Sequence, residues 1–278
     1  MDKKYLFPDS LVLGNNGKNL YHFTSAESFF LILNDLTLKF SSFKKLNDLN
    51  EANLRNFEFK SKDKKLREEL KKYIDDKCGI ICFSQDYNEN GYPISGVNHP
   101  ALWAHYANNT NGVCIVIDKD MFVAKNKNIL NKCFWHFESV DYEFVTAPSI
   151  DYNGEINSEF IENFYKTLFF IKHKNWQNEH EYRLFVIDCN ERMSIDGCVK
   201  QIVLGNKFFN NEFWMKKLVD KIVDSQDICY KNFGLHNFAV AVPYPGGYMA
   251  DTTLGACRIS NIIENTLYRY KNFLNLNR

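Results

Sequence analysis

The sequence lacks the features of several common protein classes. It contains no apolar run near the roughly 18 residues needed to cross a bilayer. The first 13 residues carry four charged side chains and a proline, and they lack the apolar core of roughly 7–15 residues that a secretory signal peptide requires. The 34 basic and 34 acidic residues cancel, so composition gives no general attraction to nucleic acid or membranes. We therefore expect a cytoplasmic protein without a membrane partner.

Phosphate-binding and metal-binding patterns are also missing. There is no Gly-x-Gly-x-x-Gly motif, and residues 14–18 fall short of a Walker A loop. Four possible zinc ligands are present, but their spacing fits no standard zinc finger; they are Cys78, Cys82, His99 and His105. We expect no metal cofactor, and we expect the eight cysteines to be free thiols, mostly buried.

Aromatic residues are abundant, with 24 Phe and 15 Tyr among 278 residues. Because aromatic side chains bury large apolar areas, this composition favours a thick sheet core filled with rings. An AT-rich genome would produce much of the same excess, and the sequence alone does not separate the two explanations.

Hydrophobic periodicity predicts a mixture of short strands and amphipathic helices. Predicted helices cover about 26–34, 53–77, 100–108, 157–173 and 212–224, and Ser25 is placed to cap the first of them. Predicted strands cover 20–24, 38–42, 80–84, 113–117, 134–144, 182–187, 201–204 and 238–242. No repeat or linker is evident, so the prediction is one α+β domain over 1–278, with a mostly antiparallel and possibly split β-sheet core and flanking helices. Its motif-bearing core covers about 19–206, and residues 207–278 complete it.

Short motifs that combine polar and aromatic residues are spread over the first two thirds of the chain. Each joins groups able to act on a substrate to large apolar side chains able to hold them in place. They are Tyr-His-Phe-Thr-Ser at 21–25, Leu-Asn-Asp-Leu-Asn-Glu at 46–51, Cys-Phe-Ser at 82–84, Leu-Trp-Ala-His-Tyr-Ala at 102–107, and Trp-Gln-Asn-Glu-His-Glu-Tyr-Arg at 176–183.

Each motif allows a functional and a structural interpretation. The imidazole of His22 can bind a sugar hydroxyl or act as an acid or base, or it can be a core histidine. The ring of Tyr106 can stack on a flat ligand or pack in the core. Glu179, Glu181 and Arg183 share one face of a predicted strand. They can form a salt-bridged surface or a catalytic carboxylate held by an arginine.

The order of these motifs, over about residues 19–206, resembles an uncharacterised bacterial family, a domain of unknown function. Members of that family carry Tyr-His-Tyr/Phe-Thr, Asn-Asp-Pro-x-Glu, Cys-Phe-Ser, Leu-Trp-x-His-Tyr and Trp-x-x-Glu-x-Glu-Tyr-Arg. Leu49 stands where the family usually has proline, and Asn50 precedes Glu51.

The opening strand and helix are also similar to the start of ADP-ribosyltransferases, including the DNA-modifying toxin type. This resemblance implies an ADP-ribosyltransferase-like fold and NAD as substrate, with no metal. It assigns three catalytic positions, which are His22, Tyr106 (or Ser84) and Glu181. Glu179 matches the outer position of a Glu-x-Glu pair.

The resemblance also implies a role for each position. Glu181 would hold the nicotinamide-side ribose hydroxyl, and Tyr106 would stack on nicotinamide. Arg183 would orient Glu181 or contact a phosphate. The remaining predicted NAD-binding positions are Tyr21, His22, Thr24, Ser84 and Trp103, and the predicted supporting positions are Asn47, Asp48, Glu51 and Glu179.

We therefore expect NAD-dependent ADP-ribosyl transfer or NAD glycohydrolysis, with a toxin or phage-defence role as the biological setting. The acceptor, whether protein, nucleic acid or water, is left open. Two alternatives remain at this point. One is a non-catalytic sensor or binding module for a nucleotide-like ligand, and the other is a metal-independent nuclease or hydrolase.

Overall fold

A computed structural model of the protein describes residues 17–46, 48, 58–60, 64–144, 149–152, 154–224, 238–244 and 247–251. The helices are α1 (Ala26–Asp35), α2 (Lys64–Lys77), α3 (Pro100–His105), α4 (Lys119–Leu130), α5 (Ser158–Phe169), α6 (Asn206–Asn210) and α7 (Glu212–Asp224), with 3-10 helices at Phe43–Lys45 and Lys174–Glu179. The strands are β1 (Asn19–Thr24), β2 (Thr37–Leu38), β3 (Glu58–Phe59), β4 (Cys78–Gln85), β5 (Tyr87–Glu89), β6 (Tyr92–Ile94), β7 (Val113–Asp118), β8 (Phe134–Ser139), β9 (Asp141–Glu143), β10 (Ser149–Ile150), β11 (Ile171–His173), β12 (Glu181–Ile187), β13 (Met193–Ser194), β14 (Val199–Leu204), β15 (Phe238–Tyr244) and β16 (Gly247–Asp251).

The chain forms two compact units, and each is assembled from separate segments of the sequence. The first unit comprises the described residues within 1–37, 86–122 and 195–278. The second comprises those within 38–85 and 123–194.

The first unit is built on five strands in the order β16-β15-β14-β7-β1. The β1–β7, β7–β14 and β15–β16 pairs are antiparallel, and the β14–β15 pair is parallel. Tyr21 and Phe23 of β1 lie opposite Val116 and Cys114 of β7. All four side chains belong to one buried cluster that also contains Trp103 of α3. This face of the sheet is therefore covered by the segment around α3.

The second unit is built on three antiparallel strands in the order β4-β12-β8. Its core is a cluster of aromatic and aliphatic side chains from α2, α5 and the strands. Phe169 of α5 stacks on Phe185 of β12 with ring centroids 4.3 Å apart, and Phe43 lies 4.6 Å from Phe169. The expected packing of rings against a sheet is thus present here.

The sequence predicted most of these elements. Helix α7 matches the predicted 212–224, and α1 is capped by Ser25, whose side chain accepts a hydrogen bond from the backbone of Ser28. Two of the predicted helices were wrong in part, because each included residues that form a strand. The helix expected over 53–77 begins only at Lys64, and 58–59 is a strand that pairs with β10. The helix expected over 157–173 ends at Phe169, because 171–173 pairs with β9 as strand β11.

Several local elements had no counterpart in the prediction, including the short elements α6, β10, β13 and β16. Residues 85–99, for which no helix or strand was predicted, contain the hairpin of β5 and β6. Helix α4 was not predicted, and its charged and apolar residues form only a weak pattern in the sequence.

The predicted α+β class with mostly antiparallel sheets is confirmed. The predicted single domain over 1–278, with a core over 19–206, stays a prediction. Of the helices in the described residues, none has both the length and the apolar character that a membrane span requires.

Candidate functional site

The second unit contains a buried ion-pair network at the start of β12. Arg183 donates from Nε to Oε1 of Glu181 at 2.6 Å and from Nη2 to Oε2 at 2.8 Å. The two residues are 0% and 6% exposed. A bidentate, charge-assisted pair of this kind fixes the carboxylate in both position and orientation. The interpretation as a salt-bridged surface is therefore wrong, because the pair is buried.

Lys172 of β11 joins this pair to a second carboxylate. Its Nζ donates to Glu179 at 2.6 Å and to Oε2 of Glu181 at 3.3 Å. The ammonium group also lies 4.8 Å from the ring centroid of Trp176. Lys172 and Glu179 are 3% and 5% exposed. Two cations and two carboxylates therefore balance in charge, which reduces the cost of burying them.

The surrounding backbone and hydroxyl groups hold the network in place. The backbone N–H of Glu181 donates to the hydroxyl of Tyr142 at 2.9 Å, and Ser84 donates from Oγ to the carbonyl of Glu179 at 2.8 Å. Arg183 uses Nη1 to donate to the carbonyl of Phe169 at 2.6 Å, where α5 ends. The network thus connects β4, β9, α5 and β12.

The register of the strands explains why these residues meet. Glu181 and Arg183 are two residues apart on β12, so their side chains lie on the same face of the sheet. Glu181 lies opposite Ser84 on β4, and Lys172 lies beside Tyr142 in the parallel β9–β11 pair. His180, with φ 44°, ends the 3-10 helix in a left-handed conformation immediately before β12.

Electrostatics keep Glu181 ionised. Burial raises the pKa of its carboxyl group, but the charges of Arg183 and Lys172 and the hydrogen bonds outweigh this effect and lower the pKa to about 2. The thiol of Cys82 also hydrogen-bonds to this carboxylate. A carboxylate accepts about four hydrogen bonds. Arg183 donates two to Glu181, and Lys172 and Cys82 donate one each, so all four acceptor positions are occupied. The contact with Lys172, at 3.3 Å, is longer than the two with Arg183, at 2.6 and 2.8 Å.

The first unit holds a second polar group, centred on Tyr21 and Asp86. The hydroxyl of Tyr21 donates to Oδ1 of Asp86 at 2.5 Å, and the backbone N–H of Gly96 donates to the same oxygen at 2.9 Å. Ser95 lies 3.2 Å from the Tyr21 hydroxyl. Oδ2 of Asp86 is buried, and no described residue forms a hydrogen bond with it. Desolvation raises the pKa of both Tyr21 and Asp86.

The predicted aromatic positions of the first unit are packed in its core. Trp103 is fully buried, donates from Nε1 to the carbonyl of Val97 at 2.8 Å, and makes an edge contact with Phe23 at 5.1 Å. Tyr106 is partly buried and packs against the same cluster. Thr24, at the end of β1, is buried. Trp103 is thus packed in the core of the first unit, and its predicted role in NAD binding stays a prediction.

His22 lies on the other face of β1. Side chains alternate along a strand, and Tyr21 and Phe23 point into the cluster against which Tyr106 packs. His22 lies between them in sequence and pairs with Ile115, which is outside that cluster. The structure therefore does not bring His22 and Tyr106 to the same face of this strand.

The remaining predicted positions divide between described and undescribed residues. Asp48 is buried in the second unit, whereas Asn47 and Glu51 lie outside the described residues. Glu181, Glu179, Arg183 and Ser84 belong to the second unit, and Tyr21, His22, Thr24, Trp103 and Tyr106 belong to the first. A joint site that combines Glu181 with His22 and Tyr106 stays a prediction.

Sequence reasoning missed three residues of these networks, Lys172, Tyr142 and Asp86. Lys172 was included in a predicted helix, and its role depends on the pairing of β11 with β9. Asp86 lies 65 positions from Tyr21 along the chain. Only its place immediately after a buried strand indicated a possible function. Within the part of the chain that is described, no three His, Cys, Asp or Glu residues are grouped to hold a metal ion.

Comparison with known protein families gives a match over part of the chain. A family model described as "Protein of unknown function (DUF2971)" matches residues 102–184, a stretch that contains Trp103, Tyr106, Lys172 and the network residues Glu179 and Glu181. No curated protein and no solved structure matches the chain. Over residues 102–184 the chain is thus similar to a family of unknown function.

Proposed function

We propose that the protein binds NAD and cleaves its nicotinamide–ribose bond, transferring ADP-ribose to an acceptor or to water. The observation that carries this proposal is the carboxylate of Glu181, which is held ionised and fixed at the start of β12, opposite Ser84. Cleavage of this bond passes through an oxocarbenium-like transition state. A fixed anion stabilises such a state without reorganising during the reaction.

Ser84 fits the middle position of the implied catalytic set better than Tyr106 does. It lies in the same unit as Glu181 and directly opposite it across the β4–β12 ladder, and its hydroxyl donates to the carbonyl of Glu179. Tyr106 packs against the core of the first unit. We therefore assign the hydroxyl of Ser84, together with Glu181, to the nicotinamide-side ribose.

Lys172 provides the position at which a ribose hydroxyl can enter. Its hydrogen bond to Glu179 is 2.6 Å and its bond to Glu181 is 3.3 Å. A hydroxyl that replaces Lys172 at Oε2 of Glu181 leaves the stronger Lys172–Glu179 pair intact. In this arrangement Arg183 orients the carboxylate and does not contact the substrate.

The test measures nicotinamide release from NAD by the wild-type protein and by Glu181→Gln. We expect the wild type to release nicotinamide and Glu181→Gln to release it at least about 100-fold more slowly. Removal of one preorganised electrostatic group commonly lowers the rate by this factor. Glu143→Gln, at an exposed position of β9, is the control and should keep the wild-type rate. Far-UV circular dichroism establishes that each variant is folded.

Three results would contradict the proposal in different ways. Equal release by Glu181→Gln and the wild type would remove Glu181 from the reaction. Degradation of DNA or RNA without NAD would favour the nuclease alternative. Absence of both NAD binding and nicotinamide release in the folded wild type would exclude NAD as the substrate.

One observation favours a second candidate, the non-catalytic sensor of a nucleotide-like ligand. The four acceptor positions of Glu181 are occupied by groups of its own unit, as expected for a carboxylate with a purely structural role. Calorimetric titration with NAD distinguishes the two candidates. Binding without any nicotinamide release identifies the sensor.

A further inference from the structure

Two thiols lie together at the end of the three-stranded sheet of the second unit. Cys133 is in the turn between α4 and β8, and Cys189 follows β12. The β8–β12 ladder ends with the pair Phe134 and Ile187. Cys133 therefore lies one residue before β8 and Cys189 lies two residues after β12, at the same end of these two antiparallel strands. The thiols are near enough for Cys189 to raise the pKa of Cys133.

Neighbouring contacts hold these two segments together. The Nζ of Lys132 lies 3.6 Å from Oε1 of Glu191, which joins the same turn to the same segment. The Sγ of Cys133 lies 3.5 Å from the carbonyl of Leu130 and 3.7 Å from that of Ile129. The position of the thiol is thus fixed before any reaction.

Exposure and proximity together distinguish this pair among the cysteines of the described residues. Cys133, Cys189 and Cys82 are half-buried, whereas Cys78, Cys114 and Cys198 are buried. The thiol of Cys82 hydrogen-bonds to the carboxylate of Glu181 instead. A reagent in solution can reach the pair, and each thiol has the other as a partner. Formation of an intramolecular disulfide by an external oxidant requires both conditions.

We propose that Cys133 and Cys189 are a modification site that forms an intramolecular disulfide with glutathione disulfide as the oxidant. The thiolate of Cys189 attacks one sulfur of the oxidant, forming a mixed disulfide and releasing one glutathione. Cys133, after losing its proton to solvent, attacks the Cys189 sulfur and releases the second glutathione. Two thiols are oxidised and one glutathione disulfide is reduced to two thiols, so atoms and electrons balance.

The order of attack follows from the surroundings of Cys133. Burial, with Cys189 and Glu191 nearby, raises the pKa of the Cys133 thiol to about 12. A group with this pKa is almost entirely protonated at neutral pH, and only the thiolate is a nucleophile. The first attack is therefore assigned to Cys189, and Cys133 completes the disulfide.

The bond would close the loop between residues 133 and 189 and tie the end of β12 to the end of α4. A disulfide across a loop of this length restricts the unfolded chain and is expected to raise the melting temperature by about 5 °C. It forms at the opposite end of β12 from Glu181, so it does not depend on the proposed NAD chemistry.

The test treats the reduced full-length protein with glutathione disulfide and then alkylates the remaining thiols. We expect an intact mass about 2 Da below that of the reduced protein before alkylation, and a linked peptide pair that contains Cys133 and Cys189. Cys133→Ser should stop at the glutathione adduct of Cys189. Cys198→Ser is the control for loss of a buried thiol, and it should form the link as the wild type does.

Two results would overturn the proposal. One is a wild-type protein that stops at the glutathione adduct or remains fully reduced under conditions that oxidise a control dithiol. The other is a link between different cysteines in the folded protein. Far-UV circular dichroism before and after oxidation establishes that the fold is retained.

Discussion

Arg183 binds both oxygens of the Glu181 carboxylate, at 2.6 and 2.8 Å, from two positions further along the same strand. This pair explains why the motif at 176–183 ends in Glu-Tyr-Arg. The two charged residues face one side of β12, and Tyr182 between them faces the other, where its hydroxyl donates to the carbonyl of Phe137. The motif thus builds a buried network, and any function of Glu181 depends on that network.

Replacement of Arg183 by methionine should destabilise the protein strongly. It would leave Glu181 buried with only Lys172 as a cationic partner, and breaking a buried ion pair typically costs about 3–5 kcal/mol. Chemical denaturation with urea measures the loss. Lys65→Met, which removes an exposed ion pair with Glu69, is the control and should cost less than about 1 kcal/mol. Equal effects of the two variants would show that the buried pair is not a major source of stability.

The stability of the protein should fall in acid because of Glu181. Its pKa is about 2 in the folded protein against an ordinary value of 4.5, so the folded state binds this proton more weakly than the unfolded state does. The contribution is complete above pH 4.5 and is lost as the pH falls towards 2. It amounts to about 3 kcal/mol by linkage.

Urea unfolding at a series of pH values measures this loss. Other carboxylates also titrate in this range, so the informative quantity is the difference between wild type and Glu181→Gln. That difference should be constant from pH 7 to 5 and should shrink below pH 4.5. A difference that is independent of pH down to 2 would show that the carboxyl group of Glu181 is not held ionised.

Local sequence patterns were sufficient to predict several helices and strands and to show which side chains of a strand lie on the same face. Helix α7 was predicted at its observed bounds, and the strand period placed Glu181 and Arg183 on one face. The same alternation along β1 places the side chains of His22 and Tyr21 on opposite faces of the strand. The prediction that His22 and Tyr106 belong to one site did not take this alternation into account.

The remaining contacts depend on pairings that are distant in the chain. Lys172 reaches Glu181 because β11 pairs with β9 beyond the end of α5. Tyr21 and Asp86 are 65 positions apart, and the chain between them includes α1, α2 and β4. No local periodicity encodes such contacts, and the five motifs indicated only that polar groups would be held by aromatic neighbours.

Tyr21→Phe should destabilise the first unit by about 1–3 kcal/mol, because it removes a donor from the partly buried carboxylate of Asp86. The cost should be smaller in an Asp86→Asn background, where the acceptor is neutral and the hydrogen bond is weaker. A double-mutant cycle, measured by urea denaturation, gives the coupling between the two residues. Tyr182→Phe, which removes a hydrogen bond to a neutral carbonyl, is the matched control. Additive effects of Tyr21→Phe and Asp86→Asn would contradict the hydrogen bond seen in the structure.

We propose that Glu181 interacts with the nicotinamide-side ribose of NAD in the transition state. The most direct test compares nicotinamide release from NAD and from an analogue that lacks the 2-hydroxyl of this ribose, in the wild type and in Glu181→Gln. Hydrogen bonds to this hydroxyl contribute several kcal/mol to related reactions. The wild type should therefore lose at least about 100-fold in kcat/KM with the analogue, and Glu181→Gln should release nicotinamide from both compounds at similar low rates. An equal loss in the wild type and in the variant would contradict the claim.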